Sequence, residues 1–112
     1  MHAYCASKPG AWPDFPWEEH THPVFKVGPG ERGKIFAFLG GEGVGIKAGR
    51  SREVADEWLQ RYPDSASVMA YIGRSGWNTL LIGGAIPDDE LRDAIDTSYD
   101  TVVAKLPKRD RP

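Results

Sequence analysis

The sequence has little cysteine, no long apolar stretch and no strong excess of charge. Among 112 residues Cys5 is the one cysteine, so no intramolecular disulfide can form and a disulfide-stabilised scaffold is excluded. No unbroken apolar run is longer than that from Ile35 to Leu39, which is far shorter than the roughly 20 residues that a membrane-spanning helix needs. The N-terminus carries no basic segment followed by an apolar one. We therefore expect a soluble, cytoplasmic protein.

The composition is that of one compact domain over residues 1–112, with 40% hydrophobic and 27% charged residues. The net charge of -2 conceals a segregation along the chain. Residues 21–52 carry six cations against two acids, residues 53–104 carry ten acids against three cations, and residues 105–112 are basic again. Basic segments of this kind can bind an anionic partner locally, although a normally mixed surface has the same composition.

Proline, glycine and the spacing of apolar residues divide the chain into short elements. They predict a helical turn within 1–8, a loop over 9–23, and strands at 24–27, 34–39 and 44–48. A helix over 52–61 follows, then strands at 68–72 and 77–82 joined as a second hairpin, and a last helix from 87 to 105.

This order, α-β-β-β-α-β-β-α, predicts an α+β domain of two layers, with an antiparallel sheet and the helices on one face. The other face of such a sheet can be left open. Strict alternation along the second predicted strand would place Ile35, Ala37 and Leu39 on one side and Phe36 and Phe38 on the other, so both faces carry apolar side chains.

The segment from Gly28 to Gly33 matches the pattern G-x-G-x-x-G of phosphate-binding loops. A dinucleotide-binding loop must open a helix, whereas a strand is predicted to follow Gly33. The kinase version lies between strands, but 112 residues cannot hold the second kinase lobe. Hairpin geometry accounts for these glycines, and we expect no cofactor.

Two histidines, His20 and His22, lie close together beside Glu18 and Glu19 and raise the question of a metal site. A metal site needs three or four convergent ligands, and nothing requires Cys5 to approach them. No serine or cysteine stands beside an evident base. We therefore expect neither a metal nor an enzymatic activity.

Basic residues alternate with aromatic ones in two regions of the chain. They are Phe25, Lys26, Lys34, Phe36, Phe38, Lys47 and Arg50 around the first hairpins, and Arg74, Trp77 and Asn78 at the last one. Such sets are typical of nucleic-acid binding, because cations neutralise phosphates and planar rings stack on bases. The same aromatic residues could equally form the core of a small domain.

Several short segments, in this order and spacing, resemble the MmcQ/YjbR family. They are His22 to Val27, Gly33 to Ala37, Arg61-Tyr62-Pro63, Trp77-Asn78-Thr79, Pro87 to Leu91, and Ser98-Tyr99 through to Lys108. The resemblance implies a CyaY-like α+β fold. It also implies a DNA-binding function in which two hairpins act as a double wing.

Carried onto this chain, the resemblance gives a set of candidate DNA-binding residues: Lys26, Lys34, Lys47, Arg74, Trp77, Asn78, Lys105, Lys108 and Arg109. We expect low-specificity contacts with phosphates, made by the sheet and wings and not by the acidic last helix, which phosphate would repel.

Two alternatives remain open at this point. The protein could be an interaction module that docks a protein partner on the strip formed by Phe36 and Phe38 or on a free sheet edge. It could also hold a small molecule between sheet and helix, in a pocket lined by Trp77 and Tyr99.

Overall fold

The computed structural model describes residues 1–16 and 22–112, which form an α+β domain of two layers. The helices are α1 (His2–Ala6), α2 (Arg52–Arg61) and α3 (Asp88–Val103). The strands are β1 (Ala11–Asp14), β2 (Val24–Val27), β3 (Lys34–Leu39), β4 (Gly43–Lys47), β5 (Ala66–Val68) and β6 (Trp77–Leu81). Short 3-10 turns lie at Gly30–Arg32, Gly73–Ser75 and Lys108–Asp110.

The strands form one antiparallel sheet in the order β1-β2-β3-β4-β6-β5, which confirms the predicted fold class. Strand β1 lies in a segment that was predicted to be a loop. Its Pro13 argued against a strand, but β1 is an edge strand, where a missing N–H need not interrupt a ladder. Pro13 pairs with Phe25 of β2 in register.

Strand β5 begins and ends earlier than the predicted strand at 68–72. The chain leaves the sheet after Val68 because a tight turn forms, in which the amide of Ile72 donates to the carbonyl of Ala70 at 2.8 Å. Tyr71 within this turn has a φ of 66°, a left-handed conformation that cannot continue a strand. The second hairpin therefore has shorter strands and a longer connection than predicted.

The core lies between the sheet and the helices. Helix α3 crosses β2, β3 and β4, and its buried side chains are Leu91, Ala94, Ile95, Ser98, Tyr99 and Val102, close to the predicted stripe. Helix α2 packs on the same face, since the buried amide of Asn78 on β6 donates to the carbonyl of Ala55 at 2.8 Å. None of the helices described over 1–16 and 22–112 is long and apolar enough to cross a membrane.

A β-bulge at Phe36 changes which side chains of β3 face the core. Phe25 of β2 pairs with Ala37, whereas the next residue, Lys26, pairs with Ile35, so Phe36 is an extra residue in its strand. Phe36 is fully buried and meets the ring of Tyr99 at 5.2 Å. The predicted alternation was wrong here: Phe36 and Ala37 are both buried, and the open strip expected to contain Phe36 and Phe38 lacks Phe36.

Candidate nucleic-acid interface

Five of the nine predicted site residues line one cavity of about 510 Å³ on the open face of the sheet, the face away from α2. We call it the lysine cavity. Its cations are Lys26, Lys34, Lys47 and Lys105, and its apolar residues are Ile35, Phe38, Ile72, Trp77 and Val102, with Gly33 and Thr101 completing the lining. No aspartate or glutamate from the described segments lines it. Residues distant in sequence thus form one cationic, partly aromatic site.

The cavity lies where β3 and β4 separate. The two strands pair from Leu39 and Val44 as far as Ala37 and Ile46. Beyond that point the Ser98 hydroxyl stands between them: it donates to the carbonyl of Phe36 at 2.6 Å and accepts from the amide of Lys47 at 2.9 Å. This buried bridge satisfies both backbone groups and holds the strands apart, so the C-terminal end of α3 reaches the open face.

Lys47 is the most buried of the four lysines, with 5% of its surface exposed. Its ammonium donates to the carbonyl of Ser75. Burial lowers the pKa of Lys47 from its ordinary value of 10.5, and the neighbouring ammonium of Lys105 lowers it further. In the described part of the chain no carboxylate pairs with Lys47, Lys34 or Lys105. The cavity therefore concentrates positive charge that an anion would neutralise.

Lys26 differs from the other three lysines because it has an acidic partner. Its Nζ lies 2.8 Å from a carboxylate oxygen of Asp14 on the neighbouring β1, and 5.4 Å from the centre of the Trp12 ring. The hydrogen bond from Lys26 lowers the pKa of Asp14 below its ordinary 3.8. Lys26 is thus held in place at the rim of the cavity, with part of its charge already neutralised.

The aromatic wall of the cavity consists of Phe38 and Trp77. Their ring centres are 5.5 Å apart at an interplanar angle of 77°, an edge-to-face pair. Both side chains are half-buried, so part of each ring faces the cavity. Planar apolar surface beside several ammonium groups suits a ligand that is both aromatic and anionic.

Asn78 lies in the interior of the domain and is therefore not part of the candidate surface. It is fully buried, and its side chain bonds to Arg52 and to the carbonyl of Ala55. Arg52 also donates to the carbonyls of Gly73 at 2.7 Å and Trp77 at 3.1 Å, and so fixes the position of Trp77 in the cavity wall. The sequence analysis missed Arg52, whose only signal was its position at the start of α2.

The remaining predicted cations lie outside the cavity. Arg74, Lys108 and Arg109 are exposed, and Arg109 lies 3.9 Å from the carboxylate of Asp110. Asp110 itself is buried and takes two hydrogen bonds, each of 3.1 Å, from Arg32. The C-terminal basic segment is therefore a separate surface, anchored through Asp110 to the connection between β2 and β3.

The connections that were expected to act as wings are tied to the body of the domain. In the connection between β2 and β3, the indole of Trp12 donates to the carbonyl of Gly28 at 2.9 Å. Gly28 has a φ of 102° and packs so closely against Leu106 that a side chain at this position would crowd Leu106. In the connection between β5 and β6, Arg52 and Lys47 donate to carbonyls of the Gly73–Ser75 turn. Both connections therefore act as parts of the cavity wall and its support.

Trp77 and Tyr99 do not line a common pocket, so the structure does not support the alternative of a small-molecule site formed by both between sheet and helix. Tyr99 is buried in the core against Phe36, whereas Trp77 lies on the open face. His20, one of the two histidines that were considered as metal ligands, lies outside the described residues. Within the described residues, no group of three or more His, Cys, Asp or Glu side chains is close enough to hold a metal ion.

Comparison with known proteins identifies the family. The YjbR family model matches residues 6–101, and the chain belongs to this family. A protein of Deinococcus radiodurans, DR2400, with a DUF419 domain, superposes with a TM-score of 0.82 at 23% identity, over 97% of this chain and 80% of that one. A protein from Pseudomonas syringae gives a TM-score of 0.70 at 18% identity, over 89% and 93%. No curated protein matches.

Proposed function

We propose that this protein binds DNA with low sequence specificity, without an enzymatic activity, through phosphate contacts made by the lysine cavity. The observation that carries the proposal is the convergence of four lysines and two aromatic side chains in a cavity whose described lining contains no acid. Phosphate would supply the counter-charge that Lys34, Lys47 and Lys105 lack. The proposal differs from the expected double wing, because the contacts lie on the sheet and not on projecting loops.

The charge distribution of the domain supports the same orientation. The first turn of α3 carries Asp88, Asp89 and Glu90, which would repel a phosphate backbone. This turn belongs to the helical layer, whereas the lysines open on the other face of the sheet. DNA is therefore attracted to one face of the domain and repelled from the other.

The test is fluorescence anisotropy of labelled DNA over a series of salt concentrations, with two variants of equal charge. The cavity variant is Lys34→Ala, Lys47→Met and Lys105→Ala. The control variant is Arg74→Ala, Lys108→Ala and Arg109→Ala, which removes three cations outside the cavity. Thermal unfolding of each variant checks that the fold is intact.

We expect affinity to fall linearly with the logarithm of salt concentration, with a slope of about -0.9 per phosphate contacted on duplex DNA. The cavity variant should bind about tenfold or more weakly and with a shallower slope, while the control variant should bind nearly as well as the unmodified chain. Absence of binding at low salt would overturn the proposal. Loss of binding only in the control variant would move the interface to the C-terminal segment.

A second candidate is docking of a protein partner, which the apolar surface beside the lysine cavity favours. A neighbouring hollow is lined by Phe38, Met69, Tyr71 and Ile72 among others, and Tyr71 is fully exposed. Val68 at the end of β5 and Leu81 at the end of β6 are also exposed. Such docking would tolerate salt and would depend on Tyr71, not on the lysines. Tyr71→Ser in a salt-resistant pull-down separates the two functions.

A further inference from the structure

The shape of the lysine cavity distinguishes between duplex and single-stranded DNA. The lysines surround a hollow of about 510 Å³ instead of following a line along the surface, and this volume falls within the range of about 300–1,000 Å³ typical of small-molecule sites. A duplex presents phosphates on its outside and keeps its bases stacked within. It can touch the rim of such a hollow, but it cannot bring a base and a phosphate into it together.

The two kinds of side chain in the cavity match the two parts of a nucleotide. Phe38 and Trp77 offer partly uncovered rings, with Ile35 and Ile72 beside them as further apolar surface. Every base has a π-face, so stacking on such rings does not depend on sequence. The apolar wall therefore suits an unstacked base better than it suits a phosphate.

The cationic part of the cavity suits one phosphate group. Lys47, on β4, and Lys105, just after α3, both line the cavity, and the ammonium of Lys105 is near enough to lower the pKa of Lys47. Two neighbouring ammonium groups, the buried one of Lys47 and the exposed one of Lys105, repel each other, and a phosphate between them would replace that repulsion with two attractions. The Ser98 bridge fixes the separation of β3 and β4, so the site is formed before the ligand arrives.

We propose that the lysine cavity holds one unstacked nucleotide, with its base against Phe38 and Trp77 and its phosphate between Lys47 and Lys105. The protein accordingly binds single strands, and the single-stranded ends of duplexes, in preference to continuous duplex DNA. This inference rests on the proposed function and adds the strand form that the site selects.

The test compares labelled oligonucleotides of equal length as a single strand, a blunt duplex and a duplex with a short overhang. Two variants isolate the ring contribution: Phe38→Leu removes a ring from the cavity wall, and Tyr71→Leu removes an exposed ring that does not line the cavity. Competition by thymidine monophosphate, thymidine and inorganic phosphate reports whether base and phosphate are recognised together.

We expect the single strand and the overhang to bind about tenfold more tightly than the blunt duplex. Phe38→Leu should weaken single-strand binding about fivefold or more, and Tyr71→Leu should leave it unchanged. Thymidine monophosphate should compete at lower concentration than thymidine or phosphate alone. Equal binding of blunt duplex and single strand, with Phe38→Leu unaffected, would overturn this inference and leave phosphate-backbone binding standing. Absence of binding to all three oligonucleotides would overturn both.

Discussion

The two faces of the sheet use the same kinds of side chain for different purposes. On the helical face, the polar side chains Asn78 and Ser98 are buried with hydrogen-bond partners, and Phe36 lies fully within the core. On the open face, Lys47 is buried without an acidic partner among the described residues, and Phe38 remains half-exposed. The helical face is complete without a ligand, whereas the open face leaves charge and apolar surface that a ligand would satisfy.

This difference separates residues that stabilise the fold from residues that we propose bind DNA. A buried cation without a counter-charge opposes folding, and a half-exposed ring contributes less than a buried one. Substitutions on the helical face should therefore lower stability, while those on the open face should chiefly change affinity.

The neighbouring phenylalanines of β3 give the sharpest contrast. Phe36→Ala should lower the free energy of unfolding by about 3–5 kcal/mol, because it leaves a cavity in the core. Phe38→Ala should lower it by only about 1 kcal/mol, since this ring is half-exposed. Urea unfolding of both variants measures the difference. Equal losses would contradict the bulge that places the two rings on opposite faces.

The Ser98 bridge supplies the second prediction. Ser98→Ala leaves the amide of Lys47 and the carbonyl of Phe36 without their partner, and each buried orphan group costs about 1–3 kcal/mol. We expect the free energy of unfolding to fall by about 2 kcal/mol or more in denaturant titration, with DNA affinity reduced as well. Thr97→Ala, which removes an exposed hydroxyl from α3 outside the cavity lining, is the control and should change stability and affinity little. A neutral Ser98→Ala would show that the strands do not need the bridge.

The lowered pKa of Lys47 makes both the free energy of unfolding and the expected DNA affinity depend on pH. Because its pKa is lowered in the folded state, the unfolded chain binds this proton more tightly, so the free energy of unfolding should rise with pH up to the ordinary lysine value of 10.5. Lys47→Met should abolish that rise and leave stability unchanged or increased. We expect DNA affinity to fall as pH rises through the lowered pKa, because the proposed phosphate contact requires the charged ammonium.

The matched control for that pH dependence is Lys47→Arg, which keeps its charge at all accessible pH values. In this variant the alkaline loss of affinity should move to higher pH. If DNA affinity depends on pH in the same way in the unmodified protein and in Lys47→Arg, Lys47 does not contact the bound anion.

The smallest expected effect is at the rim, in the pair formed by Lys26 and Asp14. Two-dimensional NMR titration should give Asp14 a pKa below 3.8, and Lys26→Ala should return it toward that value. The pair stabilises the fold above the ordinary pKa and loses this contribution as pH falls through the lowered one. In Lys26→Ala the free energy of unfolding at neutral pH should barely fall, because a partly exposed ion pair contributes little to stability. An Asp14 pKa unaffected by Lys26→Ala would contradict the contact.

Periodicity and turn residues were sufficient to predict the fold class, the helices α2 and α3 and strands β2, β3 and β4. They failed where a local irregularity decides the geometry. The extra residue in β3 at Phe36 is visible only through its pairing with β2, and β1 is a strand only because it lies at an edge. Strand β5 is shorter than predicted because Tyr71 adopts a left-handed conformation, and no glycine in the sequence indicated a turn at this position.

The candidate site was predicted in composition but not in arrangement. The sequence indicated which lysines and which tryptophan to consider, because those residue types suit phosphates and bases. It could not separate Lys105, which reaches the cavity, from Lys108, which does not, since that depends on where α3 ends against the opened sheet. It also could not distinguish the buried Asn78 from its half-exposed neighbour Trp77.

NMR titration of the labelled protein with a single-stranded oligonucleotide at low salt shows whether DNA binds to the open face and not to the helical face. We expect the signals of Lys47, Lys105 and the Trp77 indole to shift together, while those of Phe36 and Asn78 stay in place. Shifts confined to Lys108 and Arg109, or no shifts at saturating DNA, would rule out binding in the lysine cavity.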